Sequence, residues 1–247
     1  MRSRKPERHD GGCAAANLLG MIENRALEAF RDEAEALSQA VQTLDEAAWA
    51  RPTRCTPWSV CELLGHIRVV IGWLPQMLEG PAPDKPEVTA TQYYRPDARF
   101  SPDSNAARID LARALAAEHD GGAGLAKDFA ETWQRVSRLC RDESDGRVVR
   151  TRHGDAMLLS EFLLTRVVEV AVHGLDIADA LDHKPWLTTQ AEAAVLDLVM
   201  GLEHRDYTRE LHWDGPTALR KVTGRAALTD EESSRIARLG INWITLG

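Results

Sequence analysis

Residues 161–176 read Glu161-Phe-Leu-Leu-Thr-Arg-Val-Val-Glu169-Val-Ala-Val-His173-Gly-Leu-Asp176. The apolar residues that fill this stretch predict a buried helix, in which Glu169 and His173 lie one turn apart on the same face. A carboxylate and an imidazole that are buried together need a partner, because a lone buried charge is costly. A bound divalent cation is one such partner, and a plain hydrogen-bonded Glu–His pair is the other.

The face of this helix that holds Glu169 is polar at its centre. A helix face that packs into a core is expected to consist of Leu and Val, whereas a polar centre with apolar flanks is typical of a pocket wall. At helical spacing, the side chains that share this face with Glu169 are Phe162, Thr165, Arg166, His173 and Asp176.

A second predicted helix supplies another candidate ligand, His66. Ser59 and Glu62 have the spacing of a capping box, so this helix is expected to begin near Val60. Gly65 leaves room beside His66 for another group to approach. Two imidazoles and a carboxylate suit zinc, nickel or another borderline divalent ion, and three protein ligands leave a coordination position open. The alternative is a hydrogen-bonded core histidine.

Helical periodicity recurs along most of the chain and predicts an all-α fold. Four long amphipathic helices indicate an antiparallel four-helix bundle with a small helical C-terminal extension. We expect a disordered leader over residues 1–20, a metal-binding bundle over 21–185 and the extension over 186–247. The helices are predicted at about 23–44, 60–80, 104–118, 125–141, 160–182, 188–203, 217–222 and 229–239, with a β-like connector at 147–153.

Composition excludes several classes of protein. The 247 residues carry 30 basic and 38 acidic side chains, a formal net charge of −8, which argues against a nucleic-acid surface and against docking on anionic lipid. No stretch of 18 or more consecutive apolar residues predicts a membrane span. The cysteines form no C-x-x-C pair, so we expect reduced thiols that act as small buried hydrophobes in a cytoplasmic protein. They are Cys13, Cys55, Cys61 and Cys140.

Two segments resemble motifs of the DinB-like metalloenzymes, most closely the mycothiol-dependent maleylpyruvate isomerase N-terminal type. The first is Thr56-Pro-Trp-Ser-Val-Cys-Glu-Leu-Leu-Gly-His66-Ile67, and the second is Thr165-Arg-Val-Val-Glu-Val-Ala-Val-His173-Gly-Leu-Asp-Ile-Ala178. With the bundle between them they cover roughly residues 21–181. The tail departs from the isomerase, which has a second α/β domain, and is similar to the short tail of other relatives.

The resemblance implies a four-helix bundle that holds a divalent metal, usually zinc, on His66, Glu169 and His173. It implies that the metal binds the thiol of a low-molecular-weight cofactor, typically mycothiol. Asp176 matches a polar active-site position of the isomerase branch, and Arg166 belongs to the same motif.

From this resemblance we expect a thiol-dependent S-transferase or isomerase that acts on an electrophilic small molecule. Asp176 and Arg166 are the candidate catalytic residues. Trp73 and Arg225 are the candidate thiol- and substrate-binding residues, beside a loop around Tyr93. The alternatives are a non-catalytic, metal-bound binding or stress-response module and a metal-dependent hydrolase. A homodimer through the exposed helices is also left open.

Overall fold

The computed structural model describes residues 11–95, 97 and 101–244, and their secondary structure is helical apart from one short hairpin. Strands β1 (Val148–Arg150) and β2 (Ala156–Leu158) form that hairpin. The helices are α1 (Gly11–Val41), α2 (Glu46–Trp49), α3 (Val60–Gly72), α4 (Leu74–Glu79), α5 (Ala90–Tyr93), α6 (Pro102–Ala117), α7 (Gly121–Arg141), α8 (Leu159–Leu181), α9 (Thr189–Met200), α10 (His204–Leu211), α11 (Gly215–Val222) and α12 (Asp230–Leu239).

Helices α1, α3, α7 and α8 form the predicted bundle. Helix α1 packs against α7 and α8, and α3 packs against the same two helices, so that α1 faces α3 across the core. Large side chains of these helices are fully buried between them, among them Phe30, Leu63, Phe129 and Phe162. The all-α bundle with a helical C-terminal extension is therefore confirmed.

Helix α3 begins where its capping box predicts. The Ser59 hydroxyl accepts from the amide of Glu62 at 3.3 Å, and the Glu62 carboxylate accepts from the amide of Ser59 at 2.8 Å. These two bonds satisfy amides that lack helical partners in the first turn. The cap thereby fixes the start of the helix that carries His66.

The same helix ends earlier than expected. We predicted one helix to about residue 80, whereas α3 stops at Gly72 and α4 begins after Trp73. Pro75 accounts for the break, because it has no amide hydrogen to donate to the preceding turn. The break leaves Trp73 at a corner between two helices, where its side chain is half-buried.

Helix α6 lies directly on α3 at Gly65. A β-carbon at this position would lie 2.7 Å from the carbonyl oxygen of Ala112, whose side chain is fully buried. We expected the space beside Gly65 to admit a ligand, and the structure corrects this, because the α6 backbone fills it.

The hairpin leads straight into α8. Val149 pairs with Met157 in its antiparallel ladder, and Leu158 is followed at once by the first residue of the helix. We predicted only the first strand, as an extended connector, and a helix that begins at about residue 160. The helix begins at Leu159, and its cap residue, Leu158, provides no side-chain cap bond, because the strand runs into the helix without a turn.

The C-terminal extension packs on the bundle through α9 and α11. The carboxylate of Glu33 in α1 accepts from the amide of Thr188 at 2.8 Å and from its hydroxyl at 2.7 Å. Thr188 in turn caps α9, which begins at Thr189, close to the predicted start at residue 188. Helix α10 was not predicted. Helix α9 ends at Met200, and the following Gly201 has a positive φ of 88°, which favours glycine.

Of the expected leader, residues 1–10 lie outside the described residues, whereas residues 11–20 belong to α1, which begins at Gly11 rather than near residue 23. Among the described residues, no helix has both the length and the apolar character needed to cross a bilayer.

Candidate metal centre

The three candidate ligands meet at the interface between α3 and α8. His66 Nε2 lies 3.2 Å from Glu169 Oε2, and His173 Nε2 lies 3.4 Å from the same oxygen. The two imidazole rings meet edge to face with their centroids 5.1 Å apart. Helical spacing on α8 and the crossing of α3 thus bring two nitrogens and one oxygen within 4.8 Å of one another.

These separations fit a tetrahedral zinc site. Zinc lies about 2.0–2.1 Å from nitrogen and oxygen ligands, which places neighbouring ligand atoms about 3.3 Å apart. His66 and Glu169 both have little exposure, 4% for the whole residue and 20% for the side chain respectively. A cluster of this composition, buried without a cation, would need protons on its imidazoles to offset the carboxylate.

The far side of the His173 ring is held by Asp176. Asp176 Oδ2 lies 3.0 Å from His173 Nδ1, so Nδ1 donates to this carboxylate, and deprotonation of the ring would leave its lone pair on Nε2, on the side of Glu169. Arg225 donates to both oxygens of Asp176, at 2.9 and 2.8 Å. A carboxylate that orients a histidine in this way is the usual second partner of a metal-binding imidazole.

His66 is held by stacking. The ring of Trp58 lies nearly parallel to the His66 ring, with centroids 4.7 Å apart and planes inclined by 21°. Trp58 is buried and belongs to the turn that precedes α3. The stack restricts rotation of the imidazole, so Nε2 stays directed at Glu169.

Mutual contacts set the charge states of the cluster. Burial lowers the pKa of His66, so this ring is neutral near pH 7. Although burial opposes the charged forms, hydrogen bonds from His173 and His66 hold the pKa of Glu169 well below its usual range. Burial likewise opposes the charged form of His173, but contacts with Asp176, Cys55 and Glu169 raise its pKa well above the ordinary value. The centre therefore favours a cation, either a proton or a metal ion.

A second group of ligand types lies behind the first. Cys55 Sγ donates to Asp176 Oδ2 at 3.1 Å and lies 3.8 Å from His173 Nδ1. The guanidinium of Arg225 already pairs with the Asp176 carboxylate, where a metal ion would bind, and Arg54 Nε lies 3.9 Å from the same carboxylate. This second group is neutralised by arginine and is the poorer metal site.

The His–Glu–His cluster lies in a cavity of about 480 Å³. Helix α6 forms the wall opposite α8, and the hairpin loop and α5 complete the rim. Of the described lining residues, Glu169 is the acidic one and Arg108, Arg152, Arg166 and Arg225 are the cationic ones. The cavity is thus positively charged in a protein whose net charge is −8.

Comparison with known proteins decides the family. The family model described as "Mycothiol maleylpyruvate isomerase N-terminal domain" matches residues 30–178, which is more than half of the chain and includes all three candidate ligands. The chain belongs to this family. The resemblance stated from the two motifs is thereby confirmed.

Other comparisons are weaker. A solved structure described as "Crystal structure of the mycothiol-dependent maleylpyruvate isomerase" is 16% identical, with a TM-score of 0.49, over 83% of this chain and 90% of that chain. No curated protein matches the sequence. The assignment therefore rests on the mycothiol maleylpyruvate isomerase N-terminal family model.

Of the other predicted site residues of this family member, Trp73, Arg166 and Arg225 line the same cavity, whereas Asp176 does not. Trp73 lines it, between the guanidinium groups of Arg152 at 4.2 Å and Arg166 at 5.9 Å. Arg225 also lines it, though its guanidinium is engaged with Asp176. The side chain of Asp176 is fully buried behind His173, away from the cavity lining.

Three residues of the site were not predicted from the sequence. Cys55 was expected to be a buried hydrophobe, and the structure corrects this, because its thiol hydrogen-bonds Asp176. Trp58 lay inside the first motif but received no role. Arg152 sits in a hairpin loop, and nothing in the sequence relates that loop to Trp73. For these three residues, the one indication in the sequence was that Trp58 directly precedes the capping box of the helix that carries His66.

Proposed function

We propose that this member of the mycothiol maleylpyruvate isomerase N-terminal family is a metal-dependent enzyme. It uses a low-molecular-weight thiol, mycothiol, to isomerise an electrophilic small molecule or to transfer sulfur to it. The observation that carries the proposal is the convergence of His66 Nε2, Glu169 Oε2 and His173 Nε2 in a cavity large enough for small molecules. Family membership supports the same chemistry.

His66, Glu169 and His173 would hold the metal, for which zinc suits the donor set. A bound divalent cation supplies Lewis acidity, which favours the deprotonated form of a coordinating thiol. The protein's own residues provide the geometry. Asp176 keeps the Nδ1 proton of His173, so that Nε2 remains an acceptor, and Trp58 fixes the plane of His66.

The charge of the cavity favours an anionic electrophile. Four arginines line the cavity, of which Arg166 lies beside Glu169 and Arg225 is bound to the buried Asp176, so the cationic groups outnumber the two carboxylates in a protein that is acidic as a whole. A cavity lined by groups of one charge concentrates ligands of the opposite charge. Arg152 is exposed, and its guanidinium stacks on Trp73. This guanidinium can therefore bind a carboxylate of the substrate without breaking a buried ion pair.

The test is thiol-dependent turnover by the zinc-loaded protein. We expect mycothiol to support conversion of maleylpyruvate, or of another carboxylate-bearing electrophile, in preference to the uncharged probe monochlorobimane. Glu169→Gln should abolish turnover, whereas Glu87→Gln, on the exposed surface near the hairpin, should not. Absence of both mycothiol binding and turnover in zinc-loaded protein would favour the alternative of a non-catalytic binding module.

Hydrolysis receives less support from the site. A metal-dependent hydrolase needs a general base beside the open coordination position. Among the described lining residues Glu169 is the carboxylate, and it is already shared by two imidazoles. Asp176, a candidate catalytic residue from the sequence, lies behind His173.

A further inference from the structure

Among the residues whose burial the structure describes, Arg166 is the largest that is fully buried, at 1% exposure. A buried guanidinium is costly unless its donors find acceptors, and one that is retained in a core has a specific set of partners. The motif comparison gave Arg166 no defined role beyond that of a candidate catalytic residue. Its contacts in the structure give it one.

The first contact joins α8 to α3. Arg166 Nη1 donates to the carbonyl oxygen of Val70 at 3.1 Å. Val70 lies in the last turn of α3, where carbonyl groups lack helical partners, because the helix ends at Gly72. The guanidinium thus uses a free acceptor one turn beyond His66 on the same helix.

The second contact reaches the metal ligand on α8 itself. Arg166 Nη2 lies 3.8 Å from Glu169 Oε1, whereas the other oxygen, Oε2, faces the two imidazoles. The two oxygens of Glu169 therefore have separate partners. Oε1 faces the guanidinium and Oε2 remains for the metal.

Neighbouring groups hold the guanidinium in place. Its Nε donates to Thr165 Oγ1 at 3.2 Å, and its central carbon lies 4.6 Å from the ring centre of Phe162. Trp73 lies on the cavity side, at 5.9 Å. With its plane fixed in this way, the side chain is a rigid link between Val70 and Glu169.

We propose that Arg166 is a positioning residue, which sets the separation of His66 from Glu169 and His173 and presents a single oxygen of Glu169 to the metal. The inference rests on the proposed metal site. In this role Arg166 does not touch the reacting atoms. Lysine cannot replace it, because one ammonium group cannot span both acceptors in the planar arrangement of a guanidinium.

Arg166→Lys is the main test variant, because it keeps the positive charge but removes the planar guanidinium. Arg166→Gln removes the charge as well. We expect both to bind zinc about 10–100-fold more weakly than the wild type in competition with a chelator. The Co²⁺-substituted proteins should also show altered visible absorption bands, which report ligand geometry directly. The control is Arg68→Lys, since Arg68 bridges α3 to Asp128 on α7, away from the cavity.

The outcomes separate this inference from the proposed function. If the wild type binds zinc and both Arg166 variants match its affinity and its Co²⁺ spectrum, the positioning role is wrong and the metal site stands. A raised KM with unchanged metal binding would assign Arg166 to the substrate and would equally overturn the inference. If the wild-type protein binds no metal, both the positioning role of Arg166 and the proposed metal site are wrong.

Discussion

Arg225 donates from Nε to Asp176 Oδ1 at 2.9 Å and from Nη2 to Oδ2 at 2.8 Å. Asp176 in turn orients His173 from the side opposite Glu169. Arg225 lies outside residues 30–178, the segment that the family model matches. The C-terminal extension therefore contributes a side chain to the surroundings of the candidate metal centre as well as packing on the bundle.

Replacement of Arg225 should destabilise the protein. Arg225→Met leaves the fully buried carboxylate of Asp176 without its bidentate partner, and breaking such a pair lowers the free energy of unfolding by about 3 kcal/mol. The control is Arg220→Met, since Arg220 pairs with Asp179 at a more exposed position and should cost at most about 1 kcal/mol. Urea denaturation measures both, and equal losses would contradict a special role for Arg225.

Glu33 should make stability depend on pH. Burial raises the pKa of Glu33 to about 7, although bonds from Thr188 oppose the shift. Because the folded state binds this proton more tightly than the unfolded state, the stabilisation is complete below about pH 4.5 and is lost as the pH rises through about 7. Between pH 5 and pH 8 the free energy of unfolding should fall by about 2–3 kcal/mol through this group.

Glu33→Gln should remove that part of the pH dependence. Glu35→Gln deletes a carboxylate of the same helix on its exposed face and should leave the profile as in the wild type. Urea denaturation of the three proteins at several pH values provides the comparison. A Glu33→Gln profile parallel to that of the wild type would show that Glu33 titrates normally.

Gly65→Ala tests the close packing of α6 on α3. The added methyl group would lie 2.7 Å from the carbonyl oxygen of Ala112, so the two helices must separate, at a cost of about 1–3 kcal/mol. Gly124→Ala in α7 meets its nearest neighbour at 3.5 Å and should instead stabilise the protein by up to about 1 kcal/mol. Thermal melting distinguishes the two signs, and a neutral or stabilising Gly65→Ala would refute the close approach.

Periodicity and capping residues were sufficient to predict the bundle. Ser59, Thr188 and Thr229 each cap a helix in the structure, because the side-chain bond that defines a cap is local in sequence. The break after Gly72 was missed, although Pro75 signals it. Helix α10 was missed because its residues are strongly polar and form no apolar stripe long enough to be recognised.

The site likewise contains residues that local sequence patterns predict and residues that they do not. Helical spacing links Glu169 and His173, and His66 was a candidate ligand on a second predicted helix, which the motif resemblance joined to that pair. The fold brings His66 to 3.2 Å from Glu169. Arg152 and Cys55 reach their partners across long separations in sequence, through a hairpin and a turn. No local pattern encodes such contacts, because they depend on how the elements pack together.

Metal content tests the central claim most directly. Protein purified and then equilibrated with zinc, passed through a desalting column and analysed by mass spectrometry should hold about one zinc per chain. His66→Ala, Glu169→Ala and His173→Ala should each lose it, whereas His153→Ala, a cavity histidine outside the cluster, should retain it. Full zinc occupancy in all three cluster variants, or none in the wild type, would contradict the account.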